Sequence, residues 1–226
     1  MKPTLNDRRD FFKSLAAGTA LGLPTILGAI EATAASAETS LHPFGDAETW
    51  FKKIKGRHRI VYDASEPHGG MPIIWNWVFY TTNNQTATPD DELTGMVVLR
   101  HNAIPFAMKD ELWTKYKLGE VFNVTDNNTG KPALRNVVWA PSGKDFPMAV
   151  IDGIQKQISR GGMFCVCDMA ITLYSGIVAA KMGLNAEEVK KDWVAGVHEG
   201  VQIVPSGVWA IGRAQENGCA YCYAGG

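Results

Sequence analysis

The sequence predicts an α/β domain with a mainly parallel sheet covered by helices on both faces. Three observations carry that prediction. Short runs rich in β-branched and aromatic residues recur at residues 59–64, 93–101, 163–167, 201–204 and 219–223. Longer stretches with apolar residues at helical spacing separate them. A strand–helix alternation repeated about five times pairs strands in parallel through crossover helices.

The elements follow in order. Residues 47–54 read as a short helix after an irregular leader. The first strand, 59–64 (RIVYDA), carries Asp63 near its end and runs into the Pro/Gly loop 65–70 (SEPHGG). Residues 71–82 (MPIIWNWVFYTT) suit a helix with Pro72 in the first turn. A strand is the alternative, but the length and the polar run that follows favour the helix. Residues 93–101 (LTGMVVLRH) are the second strand, apolar enough for burial on both faces. Residues 104–116 read as one helix with Leu112 and Trp113 facing inward. Residues 118–142 read as a loop or hairpin excursion around the turn run 126–130 (DNNTG), with 136–139 as a short extra strand. Phe146, Val150, Ile151, Ile154 and Ile158 predict a helix over 146–160.

The third strand is 163–167, followed by a helix over 171–182 that Gly183 ends. Asn185, with Glu188 three residues on, caps a helix over 186–195. The fourth strand, 201–204, turns at Pro205-Ser206-Gly207 into a helix that Gly218 ends, and 219–223 is the last strand.

The N-terminus is set apart from this fold. Residues 6–13 (NDRRDFFK) precede an apolar stretch broken by Gly18, Gly22, Pro24 and Gly28, and then Ala35-Ser36-Ala37. The pattern resembles a bacterial twin-arginine export signal cleaved after residue 37. The alternative is a membrane anchor or an ordinary helix, but the stretch is short and glycine-rich for a span. The expectation is a signal over 1–37, a domain over 38–226, a periplasmic location, and no membrane attachment after cleavage.

Of the 226 residues 46% are hydrophobic, and the formal net charge is -1. That balance gives no electrostatic case for nucleic acid or an anionic membrane surface. No phosphate loop, Ser-His-Asp signature or H-E-x-x-H pattern occurs.

The chemistry concentrates in residues 161–168 (GGMFCVCD). Cys165 and Cys167 stand two apart in a strand, so both are expected on one face, about 6.6 Å apart at Cα. The carboxyl end of a parallel strand opens onto the ligand crevice of such folds, which singles out Cys167. Cys219 and Cys222 have the C-x-x-C spacing of redox and zinc motifs. Redox pairs usually occupy a helix start, whereas these lie in a terminal strand, where positions three apart face opposite sides. His101 ends the second strand, next to the third, where an imidazole could stabilise a Cys167 thiolate or share a metal. Packing as small hydrophobes and disulfide formation remain open for each cysteine.

Three short stretches carry a family resemblance: 164–169 (FCVCDM), 201–207 (VQIVPSG) and 214–223 (AQENGCAYCY). They resemble the DsrE/DsrF-like sulfur-relay family, as do residues 96–113. The resemblance implies a three-layer α/β/α domain around a five-stranded parallel sheet, assembled as a trimer or hexamer. It also implies that the third and last strands lie apart, with two strands between them. In sulfur-transfer members the cysteine ending the third strand accepts sulfur as a persulfide, and Cys167 is the matching position. Asp168 replaces the family's glycine, and Cys165, Cys219 and Cys222 are additions. The expectation is an exported thiol protein that passes sulfur or redox equivalents between partners through Cys167, with Cys165 as resolving thiol and His101 beside them. The alternatives are a module binding zinc, copper or an iron–sulfur centre through the four thiols, Cys219 and Cys222 included, or a non-catalytic oligomeric module.

Overall fold

The computed structural model describes residues 44–224; the export signal expected over 1–37 lies outside them. Helix α1 (Gly45–Phe51) precedes strand β1 (His58–Ala64). A left-handed bend at His68, Gly69 and Gly70 then starts α2 (Met71–Gln85), with Pro72 in its first turn. Strand β2 (Leu93–Leu99) is buried along its whole length, as its apolar run requires.

The segment after β2 differs from the single helix expected. His101 takes a positive φ of 50° and opens tight 3-10 turns over His101–Ala107, and only then does α3 (Asp110–Tyr116) begin. Pro105, which lacks an amide hydrogen, prevents a continuous α-helix there. After the single turn α4 (Leu118–Val121), the excursion forms a two-stranded hairpin, β3 (Thr125–Asp126) with β4 (Lys131–Pro132).

The extra strand expected over 136–139 is absent from the described residues. Asn136 Oδ1 instead accepts from the amides of Val138 and Trp139, both at 3.1 Å, and curls the chain into turns. The helix expected over 146–160 is confined to α5 (Ile154–Ser159). Residues before it are held by Asp145, which accepts from Arg135, Asn128 and the Ser142 amide, a network that competes with helix formation.

Strand β5 (Met163–Cys167) passes directly into α6 (Asp168–Met182), earlier than expected. Gly183 ends α6 with a φ of 67°, and the Asn185 side chain accepts from the amides of Glu187 and Glu188 to start α7 (Ala186–Ala195). Strand β6 (Val201–Val204), α8 (Gly207–Glu216) and β7 (Ala220–Tyr223) complete the domain.

The five main strands are all parallel, in the order β6-β5-β2-β1-β7. Two strands, β2 and β1, therefore separate β5 from β7. One face of the sheet is covered by α2, α3, α5, α6 and α7 around Phe106, Trp113, Ile171 and Trp193. The other is covered by α1 and α8 around Trp50, Phe51, Ala210 and Ala214. The architecture is a three-layer α/β/α sandwich.

Candidate functional site

The order of the strands locates a crevice. Strands β1, β2 and β5 each lead into the layer containing α2 to α7, whereas β6 leads into α8 on the other face. Connections leaving two adjacent strands in opposite directions part the layers above their carboxyl ends, and ligands of parallel sheets bind at such switch points. Here the adjacent pair is β5 and β6, whose last register partners are Cys167 and Val204.

Cys167 thus stands at the switch point. Its backbone keeps extended geometry (φ −76°, ψ 112°) as the N-cap of the 15-residue α6, and its Sγ accepts from the Ala170 amide at 3.3 Å. A helix start presents unpaired N–H groups and the positive end of the macrodipole, which favour negative charge on an atom they face. The neighbouring loop is capped in the same way: Ser206 Oγ accepts from the Trp209 amide at 3.1 Å. The Met169 amide donates to the Pro205 carbonyl at 3.3 Å and ties the two loops together.

Cys165 behaves differently. It is 0% exposed and belongs to the cluster beneath α1 and α8, while Cys167 joins the opposite cluster. The same-face expectation assumed that the pleat continues through Cys167; the turn into α6 re-aims that residue instead. Burial, and then the nearby Cys167, push the Cys165 thiol well above its ordinary range. A thiol so enclosed is unsuited to the resolving role expected of it.

The tail pair also divides. Cys219 is buried with the α1/α8 layer, and burial pushes it up to about 11. Cys222 is half-buried and packs against the other layer. All four cysteines are free. Among the described residues no group of three or more His, Cys, Asp or Glu side chains is placed to hold one metal ion.

His101 does not bond to Cys167. The left-handed turn at His101 carries its ring to the β1–α2 loop, where Nδ1 lies 3.3 Å from Glu66 Oε1 and Nε2 lies 3.3 Å from the Tyr174 hydroxyl. The residue beside Cys167 is the one before it. Extending the β2–β5 register one step past Leu99–Val166 brings Arg100 level with Cys167. The Arg100 stem lies across the start of α8, where a Cβ on Gly207 would come within 2.6 Å of it, so only glycine fits. Its guanidinium grips Asp63 through two hydrogen bonds, one of 2.9 Å, and Tyr221 donates to the same carboxylate at 2.9 Å. Pairing with Asp63 raises Arg100 above its usual range. The sequence marks Asp63 as an acid near a strand end but gives Arg100 no role. The signal available was an arginine ending an otherwise apolar strand.

A larger cleft opens beside the crevice, above β1 and β2. It measures about 520 Å³ and lies between the β1–α2 loop and the excursion that follows α4. Glu66, Asn102, Phe106, Phe122, Thr125 and Asp145 are among its lining residues.

No family model matches the chain, and no curated protein matches it. Among solved structures it is similar to a protein of unknown function from Methanobacterium thermoautotrophicum. That similarity has 16% identity, covers 74% of this chain and 99% of that one, and has a TM-score of 0.38.

Proposed function

We propose that this protein is an exported, DsrE-like sulfur carrier that holds sulfane sulfur on Cys167. The observation that supports this reading best is the placement of one thiol. Cys167 Sγ caps a 15-residue helix at the switch point of the sheet and faces an amide donor.

The chemistry follows from that placement. The Cys167 thiolate attacks the terminal sulfur of a donor persulfide. A new S–S bond forms on Cys167, the donor's S–S bond breaks, and its electron pair leaves on the donor thiolate. Sulfur is transferred without net oxidation. An acceptor thiolate reverses the step. Negative charge on the bound persulfide faces the same helix start, with the Arg100–Asp63 pair alongside. Cys167 is only 6% exposed, which suits a small donor better than a bulky protein thiol.

The homo-oligomer implied by the resemblance has a candidate surface next to this thiol. Met169, Leu173 and Ile177 recur every four residues on α6 and are exposed.

Intact-mass analysis after exposure to inorganic polysulfide tests the reading. One added sulfur on Cys167, lost in Cys167→Ser and retained in Cys165→Ser, is expected. Sulfur loading confined to Cys222, the most accessible thiol, overturns it.

A further inference from the structure

We propose that the 520 Å³ cleft above β1 and β2 binds a small organic molecule through a protonated amine, with Glu66 as the counter-ion. The inference does not depend on the chemistry of Cys167.

The argument starts from charge. Among the described residues no lysine or arginine lines the cleft, and its two carboxylates are Glu66 and Asp145. Asp145 is already neutralised: its side chain has no exposed surface, and both its oxygens accept from Arg135, at 2.7 and 2.8 Å. Glu66 is held by a neutral group instead. The Asn102 amide donates to Oε1 at 3.1 Å and to Oε2 at 2.9 Å. Its remaining contact is His101 Nδ1, on Oε1. A carboxylate offers about four acceptor positions, so Oε2 keeps one open, and the Glu66 side chain is 38% exposed.

The carboxylate is also fixed in place. Asn102 is anchored by its backbone amide on the Ser65 carbonyl at 2.9 Å, and its Oδ1 accepts from Tyr174 at 2.7 Å. Burial, and then the charge of Glu66, push the Tyr174 hydroxyl up to about 12, which keeps it a donor. Orienting a carboxylate with an amide rather than an arginine leaves its charge available to a ligand. Phe122 and Val124 back the same cleft with apolar side chains. A fixed carboxylate with no lysine or arginine partner, an apolar backing, and histidine as the one basic side-chain type around it (His68 in the lining, His101 on Oε1) select a monoamine over an anion. The volume suits a small metabolite.

The test uses the full-length protein and three isosteric probes: benzylamine, benzyl alcohol and benzoate. Calorimetric titration should show saturable benzylamine binding at least about ten-fold tighter than benzyl alcohol, the ratio one charge-assisted hydrogen bond supports. Benzoate should not bind. Glu66→Gln should bring the amine-to-alcohol ratio below about two-fold, since only the charge-assisted part of the bond is removed. Thr125→Trp, which fills the cleft without touching the Glu66 network, should abolish binding of both. If Glu66→Gln fails to fold, amide shifts in the unaltered protein decide: benzylamine should move the resonances of Gly69 and Asn102. Benzoate binding as tight as the amine, an amine preference that survives Glu66→Gln, shifts confined to other regions, or no saturable binding by any probe would each overturn the proposal.

Discussion

The carboxyl edge of the sheet holds two openings built on opposite plans. The crevice at β5 and β6 is lined by nearly buried residues, Cys167 and Val204. Its one reactive atom faces a helix start, and its charged neighbours, Arg100 and Asp63, neutralise each other. The cleft above β1 and β2 is wide and polar, and its Glu66 carboxylate is held by Asn102 and His101 with no lysine or arginine partner. The crevice is made by the main sheet alone. The cleft needs the long excursion between α4 and α5 as its outer wall. The contrast teaches that a loop insertion can add a second, differently lined opening to one strand edge.

The sharpest way to break this comparison is a crossed pair of variants. Cys167→Ser is expected to remove all sulfur loading and leave benzylamine affinity within about two-fold, because the residues share no hydrogen bond. Glu66→Gln is expected to do the reverse. Mass spectrometry and calorimetry on the same samples check this, and a variant that disables both functions would merge the two openings into one site.

A second prediction concerns the frame of the crevice. Asp63→Asn removes the charged partner of a half-buried arginine and weakens the Tyr221 bond. A cost of about 2–3 kcal/mol is expected, below the full value for a buried pair because Arg100 retains solvent contact. Urea unfolding measures it, and a loss under about 0.5 kcal/mol would show the clamp to be dispensable.

Thiol alkylation sharpens the comparison further. Cys167 and Cys219 are equally enclosed, each 6% exposed, yet only Cys167 faces a helix start. Cys222 should react first, then Cys167, then Cys219, with Cys165 last. A rate at least about ten-fold higher for Cys167 than for Cys219 is expected, because burial disfavours the Cys219 thiolate while a helix start faces Cys167 Sγ. Equal rates would remove the electrostatic argument for Cys167.

A last effect is a pH dependence where the excursion packs on the segment after α7. His198 stacks flat on Trp139 of the excursion, with ring centres 3.6 Å apart. Burial lowers His198 from its ordinary 6.5 to about 4, with Asp110 acting against that shift. The unfolded chain therefore binds a proton between those values that the folded chain refuses. Stability is complete above about 6.5 and falls as the pH drops toward about 4, by at most about 1.4 kcal/mol per unit. Urea midpoints across that window should show the slope, and His198→Phe, which keeps the stack, should flatten it.

Much of the fold was legible because local signals agreed with it. The apolar run of β2, the Asn185 cap and the glycines at 183 and 218 each mean one thing in any context. The excursion was not legible. Its shape depends on Asn136 donating to the distant Phe106 carbonyl and on Asp145 accepting from Arg135 and the Ser142 amide, which no periodicity encodes. Cys167 is singled out by its place at a strand end, and the structure adds that the connections leaving β5 and β6 diverge above it. His101 was expected beside Cys167 because the second strand neighbours the third, but one left-handed residue turns its ring elsewhere. Glu66 and Asn102, 36 residues apart, had no signal in common.

The Tyr221–Asp63 bond joins residues 158 positions apart. Contacts of that separation form late, because a long loop must close before they repay its entropy. The last hydrogen bond on the Asp63–Arg100 pair beside Cys167 therefore waits until β7 docks on β1. Thiol chemistry then becomes a clock for folding: a chain still lacking its last strand carries Cys167 without its finished surroundings, and the rate at which Cys167 gains its native reactivity reports when the two ends of the domain have met.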